Sequence, residues 1–198
     1  MSHDTLIHLI VRPAVRAVAR TRATPNHITT LRLLTGVAAA LAFARGGAFW
    51  PAIGGAVFLL SMLLDRADGE LARQTGRSSP GGHTYDLVSD CSANAVAFLG
   101  IGVGQMAILG PLGPLLGLLA GVGIGAMFWQ IHVLKRAEVR SGRFWDGRVV
   151  VDPDDAMALV PVFVWCGAEV PVLAAAAAIT PVGALWLGRS GSLPGRRG

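Results

Sequence analysis

Six apolar runs recur along this chain, at roughly Ile28 to Ala44, Phe49 to Leu64, Cys91 to Leu109, Leu112 to Leu134, Ala156 to Ala168 and Val170 to Leu187. Most approach the ~20 residues that a helix needs to cross ~30 Å of hydrocarbon, where a helix satisfies its backbone polar groups within its own segment. With 53% apolar and 15% charged residues and a mean hydropathy of +0.55, the chain is too oily for an ordinary soluble domain. The prediction is an all-α membrane protein.

The fifth run is short, so the stretch from Ala156 to Leu187 reads as one tilted span or as two. Positive charge decides for two. With six transmembrane helices, the arginines before Pro25, Arg73 and Arg77, the basic cluster from Lys135 to Arg148, and Arg189, Arg196 and Arg197 share the cytoplasmic side, with Arg45 the exception. The Glu169-Val170-Pro171 step offers the turn between the last two spans.

Ahead of the spans, Leu6, Ile7, Ile10, Val11, Ala14, Val15, Val18 and Ala19 recur at helical spacing, while His8, Arg12, Arg16 and Arg20 fall on another face. An amphipathic helix lying in the membrane interface fits an arginine stripe beside the first span better than a soluble packing helix does. The expected organisation is a juxtamembrane helix over residues 1–24, a six-helix membrane domain over 25–188 and a disordered basic tail over 189–198. Both termini are expected on the cytoplasmic side of a bacterial cell membrane.

The balance of 17 Lys+Arg against 12 Asp+Glu does not call for a nucleic acid partner, because basic loops facing anionic lipid account for it. Cys91 and Cys166 lie far apart in apolar segments, without metal-ligand spacing, and read as buried thiols. Arg12, Arg16 and Arg20 interrupt any secretory-signal pattern, so no removable leader is expected. In the fourth span Gly113, Gly117, Gly121 and Gly125 repeat on one face, which lets another helix approach closely, either from the same chain or across a homodimer.

The polar exception to this composition is the stretch "LLDRADGELARQTGRSSPGGHTYDLVSD", which holds Asp65, Asp68, Asp86 and Asp90. Asp65 and Asp68 are three apart at the end of the second span, and Asp86 and Asp90 four apart at the start of the third, so each pair shares a helix face. The intervening Ser78, Ser79, Pro80, Gly81 and Gly82 make a turn, so the helices are antiparallel neighbours and the carboxylates converge. Such a cluster needs a positive partner; Arg66 and Arg73 offer themselves, and an all-oxygen set without His or Cys favours Mg²⁺ or Mn²⁺. Four acids can hold two ions, an arrangement suited to gripping a diphosphate. Gly69 and Gly82 would let a bulky ligand reach the helix backbone, and Arg73 would offer its guanidinium to phosphate oxygens.

These residues form the pattern D-x2-D-G-x2-A-R-x8-G-x3-D-x3-D, through Asp65, Asp68, Gly69, Ala72, Arg73, Gly82, Asp86 and Asp90. The pattern resembles that of the CDP-alcohol phosphatidyltransferase family, and the likeness extends to the "TPNHIT" opening of the first span. The resemblance implies transfer of a phosphatidyl group from a CDP-alcohol, most often CDP-diacylglycerol, to the hydroxyl of a small polar acceptor, with release of CMP, in phospholipid biosynthesis. It further implies two divalent ions on Asp65, Asp68 and Asp86, with Asp90 touching the second ion and acting as general base. Asn26, His27, Ile28, Thr29, Gly69, Ala72, Arg73, Ser79 and Gly82 match the family's nucleotide-binding positions.

Lys135, Arg136, Arg140 and Arg189 could serve an acceptor's phosphate, or could simply obey the positive-inside rule. Asp152, Asp154 and Asp155 stand where relatives with phosphorylated acceptors tend to be basic, which favours an amine or neutral polyol acceptor unless the acids cap a helix. A non-lipid CDP-alcohol donor, a divalent-cation carrier and a silent membrane scaffold are the competing functions. The carrier is disfavoured because the acids gather at one membrane face.

Overall fold

The computed structural model describes residues 6–77, 79–134, 142–144, 149–151 and 157–190. Helix α1 spans Leu6–Val18 and α2 spans Pro25–Ala44. Thr24 holds an extended conformation before α2, and Pro25 occupies a first-turn position whose N–H has no partner to lose. His27 Nδ1 accepts from the Thr24 N–H at 3.4 Å. Helix α3 (Phe49–Thr75) runs on past its apolar segment into the acidic stretch and stops at Gly76, whose φ of 64° a residue with a side chain adopts at a cost. Helix α4 (Pro80–Gly104) begins at Ser79, whose Oγ accepts from the Gly82 N–H at 3.0 Å.

A short α5 (Met106–Leu109) leads into α6 (Leu112–Phe128), prolonged by a π-helical turn over Trp129–Val133. Strands β1 (Gly142–Phe144) and β2 (Val149–Val151) pair antiparallel, with Arg143 opposite Val150. Helix α7 (Leu159–Trp165) and helix α8 (Glu169–Ser190) follow.

Five helical segments, Pro25–Ala44, Phe49–Thr75, Pro80–Gly104, Leu112–Val133 and Glu169–Arg189, are long and apolar enough to cross a membrane, which makes this an integral membrane architecture. The predicted fifth span differs. Among the described residues it holds only the seven-residue α7, about 10 Å of helix, which ends two residues before Gly167 turns the chain at φ 72°.

The contacts fix how the helices run. Thr180 Oγ1 on α8 donates to the Ala120 carbonyl on α6 at 3.1 Å, and further along both helices Gln130 Nε2 donates to the Ala184 carbonyl at 2.9 Å. Helices α6 and α8 are therefore parallel, and the chain between them must return along the bundle. Helix α7 lies on that return, antiparallel to α3: Pro161 faces Gly55, and Trp165 Nε1 donates to the Ala52 carbonyl at 3.0 Å.

The glycine ridge of α6 has its partner in the same chain. A Cβ at Gly113, Gly117 or Gly121 would meet the backbone of α4 at Gly102, Phe98 or Ala95, and one at Gly125 would lie 3.4 Å from Cys91 Sγ. Large apolar side chains of these helices, among them Leu34, Leu41, Leu118, Val122, Ile179 and Val182, point outward, as lipid-facing surfaces require.

Two smaller expectations change. Helix α1 buries Val11 and Val15 against Leu71 of α3, with Ile28 and Ala67 alongside, and Arg12 Nε lies 3.6 Å from Glu70 Oε1. Protein therefore covers part of the face assigned to the membrane surface. Cys166 is exposed and Cys91 only half-buried, so neither is a fully buried thiol. Arg45, the exception to the charge rule, stacks 4.4 Å from the centre of the Trp50 ring.

Candidate metal centre

Because α3 and α4 both continue beyond their apolar segments, their acidic turns face each other across the short link at residues 76–79. Asp65 and Asp68 of α3 and Asp86 of α4 each bring a carboxylate oxygen within 4.8 Å of the others. Asp68 is 3% exposed, and Thr29 Oγ1 of α2 donates to its Oδ2 at 2.7 Å. Asp86 Oδ1 is buried without a hydrogen-bond partner. A buried acceptor left unpaired costs about 1–3 kcal/mol, more when charged, and three facing carboxylates add repulsion. A hard divalent cation answers both, so these residues fit Mg²⁺ or Mn²⁺.

Asp90 stands apart from that cluster. Its Oδ1 accepts from Arg32 Nη2 and, at 2.9 Å, from Asn94 Nδ2. Arg32 Nε lies 3.2 Å from Asp65 Oδ1, near enough for charge attraction though misaligned for a hydrogen bond. The Arg32 side chain comes from α2, is buried, and is held in place where Ser61 Oγ donates to the Arg32 carbonyl at 2.8 Å.

A compensating charge beside these carboxylates comes from Arg32, whereas Arg73, one of the two arginines the sequence offers, donates through Nη2 to Glu70 Oε2 at 2.6 Å. One signal pointed to Arg32: it is an arginine inside an apolar run, and such residues within a span are rarely passive.

Beside the carboxylates lies a cleft lined by Asn26 and Thr29 of α2, Asp68, Gly69 and Ala72 of α3, Arg77 and Ser79 of the link, and Gly82, His83 and Asp86 of α4. Six of the nine predicted nucleotide positions, Asn26, Thr29, Gly69, Ala72, Ser79 and Gly82, therefore meet here, while His27 and Ile28 do not line it. Arg73 does not line the cleft; Arg77, read from sequence only as a basic loop residue, does. The N-terminal turns of α2 and α4 both end on it, and the positive ends of their helix dipoles favour an anion. A Cβ at Gly69 would meet nothing within 4 Å, so the floor there is open, whereas one at Gly82 would crowd Ser79 Oγ and Asn26 Oδ1.

Of the predicted acceptor cations, Lys135 and Arg136 lie outside the described residues, as do Arg140, Asp152, Asp154 and Asp155. Arg189 occupies the last turn of α8.

The sequence model of the CDP-alcohol phosphatidyltransferase family matches residues 22–149. No curated protein matches the chain. Its fold is shared by the Mycobacterium tuberculosis phosphatidylinositol phosphate synthase PgsA1. The structure of that protein with CDP-DAG bound superposes with a TM-score of 0.71 at 19% identity, covering 96% of each chain. Its complex with manganese and citrate gives 0.65 at 23% identity, over 92% of this chain and 90% of that one. The apo form gives 0.63 at 22% identity, over 88% and 94%.

Proposed function

The chain belongs to the CDP-alcohol phosphatidyltransferase family, and from that premise we propose that it transfers the phosphatidyl group of CDP-diacylglycerol to the hydroxyl of a small polar alcohol, releasing CMP, in phospholipid biosynthesis. The observation that carries this reading is the convergence of Asp65, Asp68 and Asp86 at the wall of an anion-favouring cleft. A lipid donor is supported by the CDP-DAG bound to the mycobacterial protein of the same fold.

Asp65, Asp68 and Asp86 would hold Mg²⁺ or Mn²⁺, two ions in the full site, which when bound offset diphosphate charge and polarise the bond to CMP. Asn26, Thr29, Gly69, Ala72, Ser79 and Gly82 seat the CMP moiety, with Arg77 beside them and Arg73 on the neighbouring turn. Asp90 accepts the proton of the acceptor hydroxyl, and the hydroxyl oxygen forms the new bond to the β-phosphorus as the bond from that phosphorus to the CMP oxygen breaks. Lys135, Arg136 and Arg189 supply the cations for an acceptor that carries a phosphate.

The membrane domain crosses the bilayer six times in this reading. Parallel α6 and α8 require a crossing between them, and α7 lies on it. The termini, the cleft and the basic C-terminal residues then share the cytoplasmic side, where a soluble nucleotide attached to acyl chains is accessible.

The test is CMP release by purified protein in detergent, with CDP-diacylglycerol, Mn²⁺ or Mg²⁺, and in turn glycerol 3-phosphate, inositol 1-phosphate, myo-inositol and serine. Metal-dependent CMP release with one of these is the expected result. Silence with all of them, together with no metal-dependent protection by CMP against heating, would overturn the proposal.

A further inference from the structure

Arg32 belongs to none of the family-pattern positions, yet it contacts the carboxylates of both acidic helices. Its carbonyl is anchored by Ser61, its side chain is 3% exposed, and among the described residues the carboxylates within 4 Å of its guanidinium are those of Asp65, a member of the three-aspartate cluster, and Asp90, which is outside it. An arginine that merely braces helices spreads its donors over backbone carbonyls. Here Nη1 has no partner, and the guanidinium is turned to carboxylates. The charge itself is what the site uses.

Two consequences follow from Coulomb attraction at short range in a water-poor setting. Arg32 and Asn94 both donate to Asp90 Oδ1, which fixes the direction of that carboxylate. Arg32 also sets a positive charge 3.2 Å from a ligand of the metal cluster, where it opposes a bound cation unless Asp90 balances it.

We propose that Arg32 is a positioning residue: it holds Asp90 apart from the Asp65-Asp68-Asp86 cluster and, paired with Asp90, sets how tightly that cluster binds a divalent cation. The inference rests on the metal reading of the cluster and on Asp90 as base, and it adds a role for a residue of α2.

The measurement is Mn²⁺ binding to purified full-length protein without substrate, read from the spin-resonance signal of free Mn²⁺, alongside the rate of CMP release. Arg32→Met removes the charge at similar bulk. Expected are Mn²⁺ binding at least tenfold tighter and turnover at least tenfold slower. A brace whose loss disordered Asp65 would give the opposite sign, so equal or weaker Mn²⁺ binding overturns the proposal.

Arg32→Lys keeps the charge and loses the fork: Mn²⁺ binding should stay within threefold of the parent, with kcat reduced and KM for the donor unchanged. Turnover at the parent rate would refute the positioning role. If Arg32→Met does not fold, Arg32→Gln, which also removes the charge but keeps a hydrogen-bonding side chain, decides the electrostatic part: Mn²⁺ binding should again tighten at least tenfold, and unchanged or weaker binding counts against the proposal. A parent protein that binds no Mn²⁺ removes the metal reading itself, and is told apart from failure of the Arg32 role because the variants then have nothing to alter.

Discussion

Helix α4 meets its two long neighbours by different means. Towards α2 the contact joins close approach at Gly36, Gly100 and Gly104 with charge and hydrogen bonds: Arg32 on Asp90, and the Thr30 and Tyr85 hydroxyls 2.9 Å apart. Towards α6 it is made by removing side chains, so that Gly113 faces the Gly102 carbonyl and Gly117 the Phe98 carbonyl. Lipid tails are as apolar as leucine, so neither face is held by a hydrophobic drive, and close packing or polar contact must supply the adhesion. The glycine face needs no ligand to be complete. The charged face is complete only with a cation, and that is where the chemistry sits.

The sharpest way to separate the two faces is to disable one and watch the other. Asp90→Asn should lower the initial rate of CMP release by about 10²–10⁴-fold, the usual worth of a general base, while the thermal midpoint in detergent changes little. A variant that turns over normally would remove Asp90 from the chemistry. Asp68→Ala should lose comparable activity together with Mn²⁺-dependent binding of CMP; intact metal dependence would contradict its role as a ligand.

Gly117→Leu attacks the other face. Its side chain would press on the Phe98 carbonyl and the Leu99 backbone, an overpacking worth about 1–3 kcal/mol, visible as a lower thermal midpoint with activity falling only in step with the folded fraction. Activity lost ahead of folding would mean that the two faces are mechanically coupled.

Smaller still, Thr180→Val deletes the hydrogen bond to the Ala120 carbonyl and should cost about 0.6 kcal/mol, typical of interhelical hydrogen bonds in lipid. Leu118→Ala, on the lipid-facing side of α6, should stay within about 0.5 kcal/mol by the same thermal measurement, and a larger loss would reveal a partner on that surface.

The acidic site was legible because its information is local. Spacings of three and four on a helix fix which carboxylates share a face, and Ser79, Pro80 and Gly82 mark where the second helix starts, so the meeting of Asp65, Asp68 and Asp86 follows from the chain itself. Arg32 was not legible in this way. Its partner Asp90 is 58 residues away on a helix whose approach depends on Gly36 lying against Ala93, and no local spacing encodes that.

The exchange of Arg73 for Arg77 at the cleft has a similar cause. Glu70, three residues before Arg73, captures its guanidinium, whereas Arg77 lies beyond the left-handed Gly76 and is redirected. The ridge of α6 was visible as a ridge, but which surface it met was a matter of tertiary arrangement. The fifth apolar run has the composition of a span, but among the described residues it holds only the seven-residue helix Leu159–Trp165 before the turn at Gly167.

The parallel pairing of α6 with α8 also bears on how the molecule is built. Parallel helices cannot close as a hairpin while the chain emerges, so Gly123, which rests on Thr180 and Pro181, has to wait for residues made much later. Until then that face of α6 is bare to lipid, whereas α2, α3 and α4 can already close around Arg32. A chain halted before α8 would leave the Gly123 face of α6 bare beside an α4–α6 seam that can already close, the kind of exposed surface that favours non-native association.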